Sequence, residues 1–302
     1  MNKAIEVKGL KKSYGRVEAV KGIDFYAEEG KLFAFLGPNG AGKSTTIDIV
    51  CTFLKPDEGE VIVDGLVLGQ SDAEIRKRIG AVFQDGLLDK RLTIAENLKA
   101  RGGFYGLKGK ALAQAVETTA ELCGVSEFLK RPYGKLSGGQ RRRCDIARAL
   151  VHTPKILFLD EPTTGLDPQT RKNIWETIGK IQKETGMTVF LTTHYREEAA
   201  DADYVIVIDD GLIAAKGTPE QLKEEYSKDR LVLTAAETEA LKKALAGREY
   251  FVRADRIEVP LTRTLDALPV LDACRGLIDG FEVLKGTMDD AFLAITGKEI
   301  RE

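Results

Sequence analysis

The chain has 302 residues, 43% hydrophobic and 30% charged, with Lys+Arg 45 against Asp+Glu 47 and a formal net charge of -2. That balance excludes a disordered or fibrous chain, and it leaves no basic field to hold nucleic acid or an anionic membrane by bulk electrostatics. No nucleic-acid partner is expected, and at roughly 150 residues per domain the length predicts two domains, each large enough for its own core.

The longest apolar stretches, such as Ile156 to Leu159 and Tyr204 to Ile208, are strand-sized and far short of the ~20 residues of a bilayer crossing. The opening Met1-Asn2-Lys3-Ala4 passes directly into a strand pattern with no apolar signal region, which predicts a cytosolic protein. Cys51, Cys123, Cys144 and Cys274 lie far apart without a C-x-x-C pair and read as reduced, mostly buried thiols, not as a disulfide framework or zinc site.

In chain order, strands are expected at Ile5 to Val7, Ala19 to Tyr26 and Leu32 to Leu36. Asp64-Gly65 between Glu60–Val63 and Leu66–Leu68 signals a tight hairpin and hence an antiparallel piece beside the main sheet. From Thr93 to about Val125 the spacing of Ile94, Leu98, Leu112, Val116 and Ala120 turns helical, predicting a helical lobe over about 90–150. From Gln140 helices alternate with strands (Arg141 to Val151, Lys155 to Leu159, Pro168 to Glu184, Met187 to Thr192), the order of a parallel sheet built from βαβ units. Asp210-Gly211 predicts a closing hairpin. The fold class is therefore α/β, with a first domain over 1–225. Residues 226–302 read as β-α-β-β-α-β, a small α+β domain of ferredoxin-like order.

Gly37-Pro38-Asn39-Gly40-Ala41-Gly42-Lys43-Ser44 satisfies G-x-x-x-x-G-K-[ST] between a predicted strand and a helix. Glycines let backbone N–H groups curl around phosphate oxygens at a helix N-terminus, Lys43 adds a point charge for the β- and γ-phosphates, and Ser44 offers a hydroxyl to Mg²⁺. Ile156-Leu157-Phe158-Leu159-Asp160-Glu161 is a buried strand delivering two carboxylates to its C-terminal end. Asp160 is placed to hold Mg²⁺ and Glu161 to polarise a water as general base. To this point the chain is a P-loop NTPase.

Leu136-Ser137-Gly138-Gly139-Gln140, immediately before a helix, narrows it: the pentapeptide resembles the signature motif of ATP-binding cassette ATPases. The resemblance covers roughly Ala4 to Glu225. It implies that Tyr14 stacks on adenine and that Gln84, in Val82-Phe83-Gln84, senses Mg²⁺ and couples to a membrane partner. It likewise implies that Gly165-Leu166-Asp167 is the D-loop and that His194 contacts the γ-phosphate. The nucleotide set it implies runs over Tyr14, residues 37–44 with Thr45, Ser137, Gly138, Gly139, Gln140 and Asp167; the metal set is Ser44, Gln84 and Asp160. It further implies a head-to-tail homodimer holding two ATP molecules, each between one copy's Lys43 loop and the other's Ser137-Gly138-Gly139 loop.

The rest read as structural. His152, at a predicted helix end, is placed as a cation complementing the helix dipole. Arg141-Arg142-Arg143 reads as a solvated helix face, Trp175 and Met187 as core, and Cys144, where the family has an aliphatic residue, as a small hydrophobe. Gly286 to Leu293 with Thr296-Gly297 resembles the tail of cassette ATPases serving daunorubicin-type and multidrug efflux. The expectation is the ATPase subunit of an exporter, on the inner face of the cell membrane beneath separate transmembrane permease subunits. A non-transport cassette ATPase, or an importer ATPase with a C-terminal regulatory domain, remains the alternative.

Overall fold

The computed structural model describes residues 2–253 and 256–297; Met1 of the N-terminal reading and 298–302 of the C-terminal domain lie outside them. The chain divides into two compact units, Met1–Lys216 and Gly217–Glu302.

The first unit begins with β1 (Lys3–Tyr14), β2 (Val17–Glu28), β3 (Leu32–Leu36) and α1 (Lys43–Val50). There follow β4 (Glu58–Val63), β5 (Leu66–Val67), α2 (Asp72–Arg78), β6 (Ile79–Val82), α3 (Ile94–Phe104), α4 (Gly109–Leu122) and α5 (Gly138–Leu150). It ends with β7 (Ile156–Asp160), α6 (Pro168–Thr185), β8 (Thr188–Thr193), α7 (Arg196–Ala200), β9 (Tyr204–Asp209) and β10 (Leu212–Gly217). One sheet has the order β10-β9-β3-β8-β7-β6 and the other β2-β1-β4-β5. The interior pairs of the first, from β9 through to β6, run parallel, whereas β1, β2, β4 and β5 pair antiparallel.

Every residue of β3, β7 and β8 is buried, as a parallel sheet covered on both faces requires, and this is why those strands read as continuous apolar runs. A shared core of Phe25, Phe33, Phe35, Phe158 and Phe190 joins the two sheets. At the β4–β5 turn Asp64 and Gly65 both take positive φ, 48° and 76°, the geometry a two-residue hairpin needs.

The helical run expected from Thr93 to Val125 is two helices. Thr93 caps α3 through a box with Glu96, and the chain reverses at Gly106 and Gly109, whose φ of +81° and +53° suit glycine. Two 3₁₀ turns, Ser126–Phe128 and Tyr133–Lys135, lead to α5. All four cysteines are buried and free.

In the second unit α8 (Pro219–Tyr226) and β11 (Asp229–Thr234) precede α9 (Glu239–Ala244), β12 (Phe251–Arg253), β13 (Arg256–Leu261), α10 (Ala267–Ala273), β14 (Gly280–Leu284) and α11 (Met288–Thr296). The sheet order is β12-β13-β11-β14, with every neighbouring pair antiparallel. Each strand–helix–strand pair thus leaves room for one strand between its own two, the split βαβ arrangement. Leu231, Leu233, Leu241, Ile257, Val259 and Val270 form its core. The division falls at 216/217, whereas the expected boundary is 225/226, because α8 packs on α11. Gly286, Thr287 and Asp290 of the tail motif build the start of α11: Gly286 N–H donates to Asp229 Oδ1 at 3.0 Å, and Thr287 caps the helix through Asp290.

His152 departs from expectation. Its ring stacks on Tyr105 at 3.7 Å between centroids, and Nε2 lies 3.0 Å from the Ile79 carbonyl. Burial pushes its pKa from 6.5 down to about 4, with Arg101 and Arg148 adding to the shift. The ring is therefore neutral and serves packing, not the helix dipole. Because the unfolded chain binds the proton more tightly, this stabilisation is complete above pH 6.5 and is lost as pH falls toward about 4. Between pH 7 and pH 5 the stability advantage of wild type over His152→Gln should shrink by about 2 kcal/mol in denaturant titrations. An unchanged advantage would mean that the ring titrates as an ordinary solvated imidazole.

Candidate active site

The site is assembled where β3, β7 and β8 end. Leu36 pairs with Thr193 and Asp160 with Thr192, so the loop after β3, the acids after β7 and His194 after β8 emerge at one level. The loop of residues 37–42 hugs its surroundings: a Cβ on Gly37 would lie 2.3 Å from the Ile208 carbonyl oxygen, and one on Gly42, at φ +103°, 2.4 Å from that of Ala19. Gly42 is the N-cap of α1, whose first turn carries no acidic residue, leaving free amides and a positive dipole end for an anion. A cavity of about 270 Å³ opens here, lined by Asn39, Gly40, Gly42, Lys43, Ser44 and Thr45 with Ala19, Gln84 and Glu161. Ala41 is buried beneath the loop.

Lys43 is 4% exposed. Its Nζ donates to the carbonyls of Gly37 at 2.8 Å and Pro38 at 3.1 Å and lies 3.4 Å from Glu161 Oε1. Burial lowers its pKa, while Glu161 and Asp160 oppose the shift. His194 Nδ1 stands 3.4 Å from Glu161 Oε2, long for an N–H···O bond. That contact, aided by Lys43 and Thr164 and opposed by burial, holds the Glu161 carboxyl down at about 2. Glu161 is thus a carboxylate, an acceptor able to orient a water.

Asp160 Oδ1 accepts from Ser44 Oγ at 3.3 Å and from Thr192 Oγ1 at 2.5 Å. Among the described residues no cluster of three or more His, Cys, Asp or Glu could hold a metal. The donors here, one carboxylate, one hydroxyl and the nearby Gln84 amide, are hard oxygens. This set fits Mg²⁺, which keeps most of its shell for water and substrate phosphate.

The remaining expected residues stand elsewhere. Tyr14 is half exposed at the end of β1. Ser137 is the N-cap of α5 in a capping box with Gln140, and Asp167 caps α6 through Thr170. Gly139 approaches that second cap, since a Cβ there would lie 2.3 Å from Thr170 Cγ2. Gly138, Thr164 and Leu166 line a second cavity, of about 280 Å³, together with Gln84. Tyr14, Ser137, Gly138, Gly139, Gln140 and Asp167 do not line the Lys43 cavity.

Several participants escape sequence reasoning. Thr192 and Thr193 belong to no motif, yet Thr193 Oγ1 donates at 2.5 Å to buried Glu198, which Thr163 also reaches. Arg142 is not solvated: it is 7% exposed and donates to backbone carbonyls around the acids. The face it shares with Ile146 and Ala149 carried that signal, three positions at helical spacing. Met187 is buried as expected, but Trp175 is only partly buried and lines a surface cavity between α6 and α7.

Residues 20–164 match the family described as ABC transporter. The chain is 39% identical over 310 residues, covering 98% of itself and 93% of the relative, to the daunorubicin/doxorubicin resistance ATP-binding protein DrrA of Streptomyces peucetius. The chain belongs to the ABC transporter ATPase family. This ATPase is also 35% identical to the Nod factor export ATP-binding protein I of Ralstonia nicotianae, over 99% of the chain and 95% of the relative. Its fold superposes on the dimeric post-hydrolysis structure of the ATP-binding cassette MJ0796 bound to ADP and Pi with a TM-score of 0.64 and 31% identity, covering 71% of this chain and 98% of the other.

Glycine geometry in the ATPase loop is directly testable. Gly40, at φ +82°, has nothing within 4 Å of an added Cβ, whereas Gly42 meets backbone. Gly42→Ala should be less stable than Gly40→Ala by about 1–3 kcal/mol and should lose more nucleotide affinity, since overpacking against backbone adds to the shared φ strain. Thermal unfolding and a fluorescent-nucleotide titration of the two variants check this, and equal losses would refute the packing argument.

Proposed function

We propose that this ATPase powers export through separate transmembrane permease subunits, hydrolysing ATP in a site completed by a second copy of the chain. The observation that carries the reading is the convergence of Lys43, Ser44, Asp160 and Glu161 at one end of the parallel sheet. The loop amides and Lys43 bind the phosphates; Ser44, Asp160 and Gln84 would hold Mg²⁺. Bound there, Mg²⁺ would neutralise the charge developing on the phosphoryl oxygens. Glu161 orients a water whose oxygen attacks the γ-phosphorus and takes up its proton as the bond to the β-bridging oxygen breaks and ADP leaves. His194, beside Glu161, positions the γ-phosphate.

The dimer is supported by the placement of Ser137, Gly138, Gly139 and Asp167 away from their own chain's Lys43 cavity. They are free to close on a partner's nucleotide, with Tyr14 against adenine. A dimeric relative supports the same reading. Export is favoured over import by the relatives named for drug resistance and Nod factor export. Among the described residues no helix is long and apolar enough to cross a membrane, so attachment to the inner membrane face would come through the permease.

Glu161→Gln should lower ATP hydrolysis by ~10²–10⁴ yet leave a dimer stabilised by ATP and Mg²⁺, measured by phosphate release and by light scattering. Undiminished hydrolysis would remove Glu161 from this role, and a monomer under saturating ATP would remove the shared site. Affinity capture of the chain from detergent-solubilised membranes should bring down a multi-span partner.

A further inference from the structure

Arg142 holds a buried charge that the proposed chemistry does not use. Its Nε donates to the Pro162 carbonyl at 2.6 Å and its Nη2 to those of Asp160 at 3.1 Å and Glu161 at 2.9 Å. Its Nη1 donates to the Phe83 carbonyl at 2.5 Å. The acceptors belong to two segments: the turn after β7 that carries Asp160 and Glu161, and the end of β6 that leads into Gln84. Arg142 itself sits on α5, whose first turn is the Ser137-Gly138-Gly139 loop. Burying a guanidinium costs several kcal/mol, and a Leu or Met would fill the space without that cost. What the guanidinium alone provides is a planar fork of donors.

The turn it grips is strained. Glu161 has φ +44°, a left-handed conformation that costs a non-glycine residue on the order of 1–3 kcal/mol and persists only when its surroundings fix it. On one side the Glu161 N–H donates to Thr192 O at 3.2 Å and Thr192 Oγ1 at 3.1 Å. On the other side its carbonyl accepts from Arg142. The peptide is fastened between β8 and α5.

We propose that Arg142 is a positioning residue for hydrolysis: it ties the backbone of Glu161 and the segment leading to Gln84 to the helix that begins at the signature loop. The aim of the Glu161 carboxylate thereby depends on where α5 stands, so a nucleotide engaging Ser137 to Gly139 acts on the base through one rigid side chain. This rests on the reading of Glu161 as the base. Arg148 is the structural control, equally buried at 6% and donating to the Ala81 carbonyl of β6, with no hydrogen bond to the β7 turn among the described residues.

The test is steady-state ATP hydrolysis by the full chain with Mg²⁺. Arg142→Lys, which keeps the charge and loses the fork, should lower kcat by ~10- to 100-fold, the scale of a small misplacement of a reacting group. KM for ATP should stay within about threefold, because the phosphate loop is untouched. Arg142→Gln should do the same and carries the test if Arg142→Lys fails to fold, while Arg148→Lys should lower the melting temperature with kcat unchanged. In a Glu161→Gln background, Arg142→Lys should add less than about twofold, since both act on one step. Wild-type kcat in both Arg142 variants, an equal kcat loss in Arg148→Lys, or full multiplication of the two losses would overturn the proposal. A fast Glu161→Gln enzyme would instead bring down the reading of the base on which it rests.

Discussion

The register of three neighbouring parallel strands is the constraint on which the rest of this ATPase depends. Because Leu36 ends level with Thr193 and Asp160 with the adjacent Thr192, the backbone pairing of the sheet sets a phosphate loop, a pair of acids and a histidine around one point. Shifting any strand by one residue would turn its side chains to the opposite face and scatter the group. Because these strands are buried on both faces, such a slip would force close-packed side chains on each face to be refitted, which makes it costly.

Around that point the carboxylates are satisfied largely by hydroxyls. Asp160 is met by Ser44 and Thr192, Glu161 by Thr164 beside Lys43, and Glu198 by Thr163 and Thr193. Hydroxyl donors relieve the cost of burying an anion without cancelling its charge, which leaves Asp160 able to bind a cation and Glu161 able to orient water. The ammonium beside Glu161, that of Lys43, is held on carbonyls of its own loop, where phosphate oxygens can take it over. Arg142 completes the arrangement from below, fixing main chain instead of side chain.

The second unit is built on a different principle, a four-stranded antiparallel sheet with its own core. The tail motif that distinguishes the chain from a bare cassette serves to start and cap α11, which holds α8 to this unit. Its residues therefore have a structural explanation independent of any transported compound.

How much of this was legible in the sequence follows from the range of the interactions. Glycine spacing, the apolar run ending in Asp160-Glu161 and the Ser137 to Gln140 pentapeptide are local patterns, and they determined the P-loop, the acids and the signature helix; the alternation of short apolar runs with helical spacing likewise gave the element order of the second unit, though not which strand pairs with which. The carbonyl partners of Arg142, the neutral ring of His152, the partial exposure of Trp175 and the joining of α8 to the second unit are not local. Each was decided by an element distant in sequence: the carbonyls of β6 and β7 for Arg142, Tyr105 and Ile79 for His152, the α7 side of a surface cavity for Trp175, and α11 for α8. A polar residue's surroundings are set by what packs over it, and chain order carries no record of that until the chain is folded.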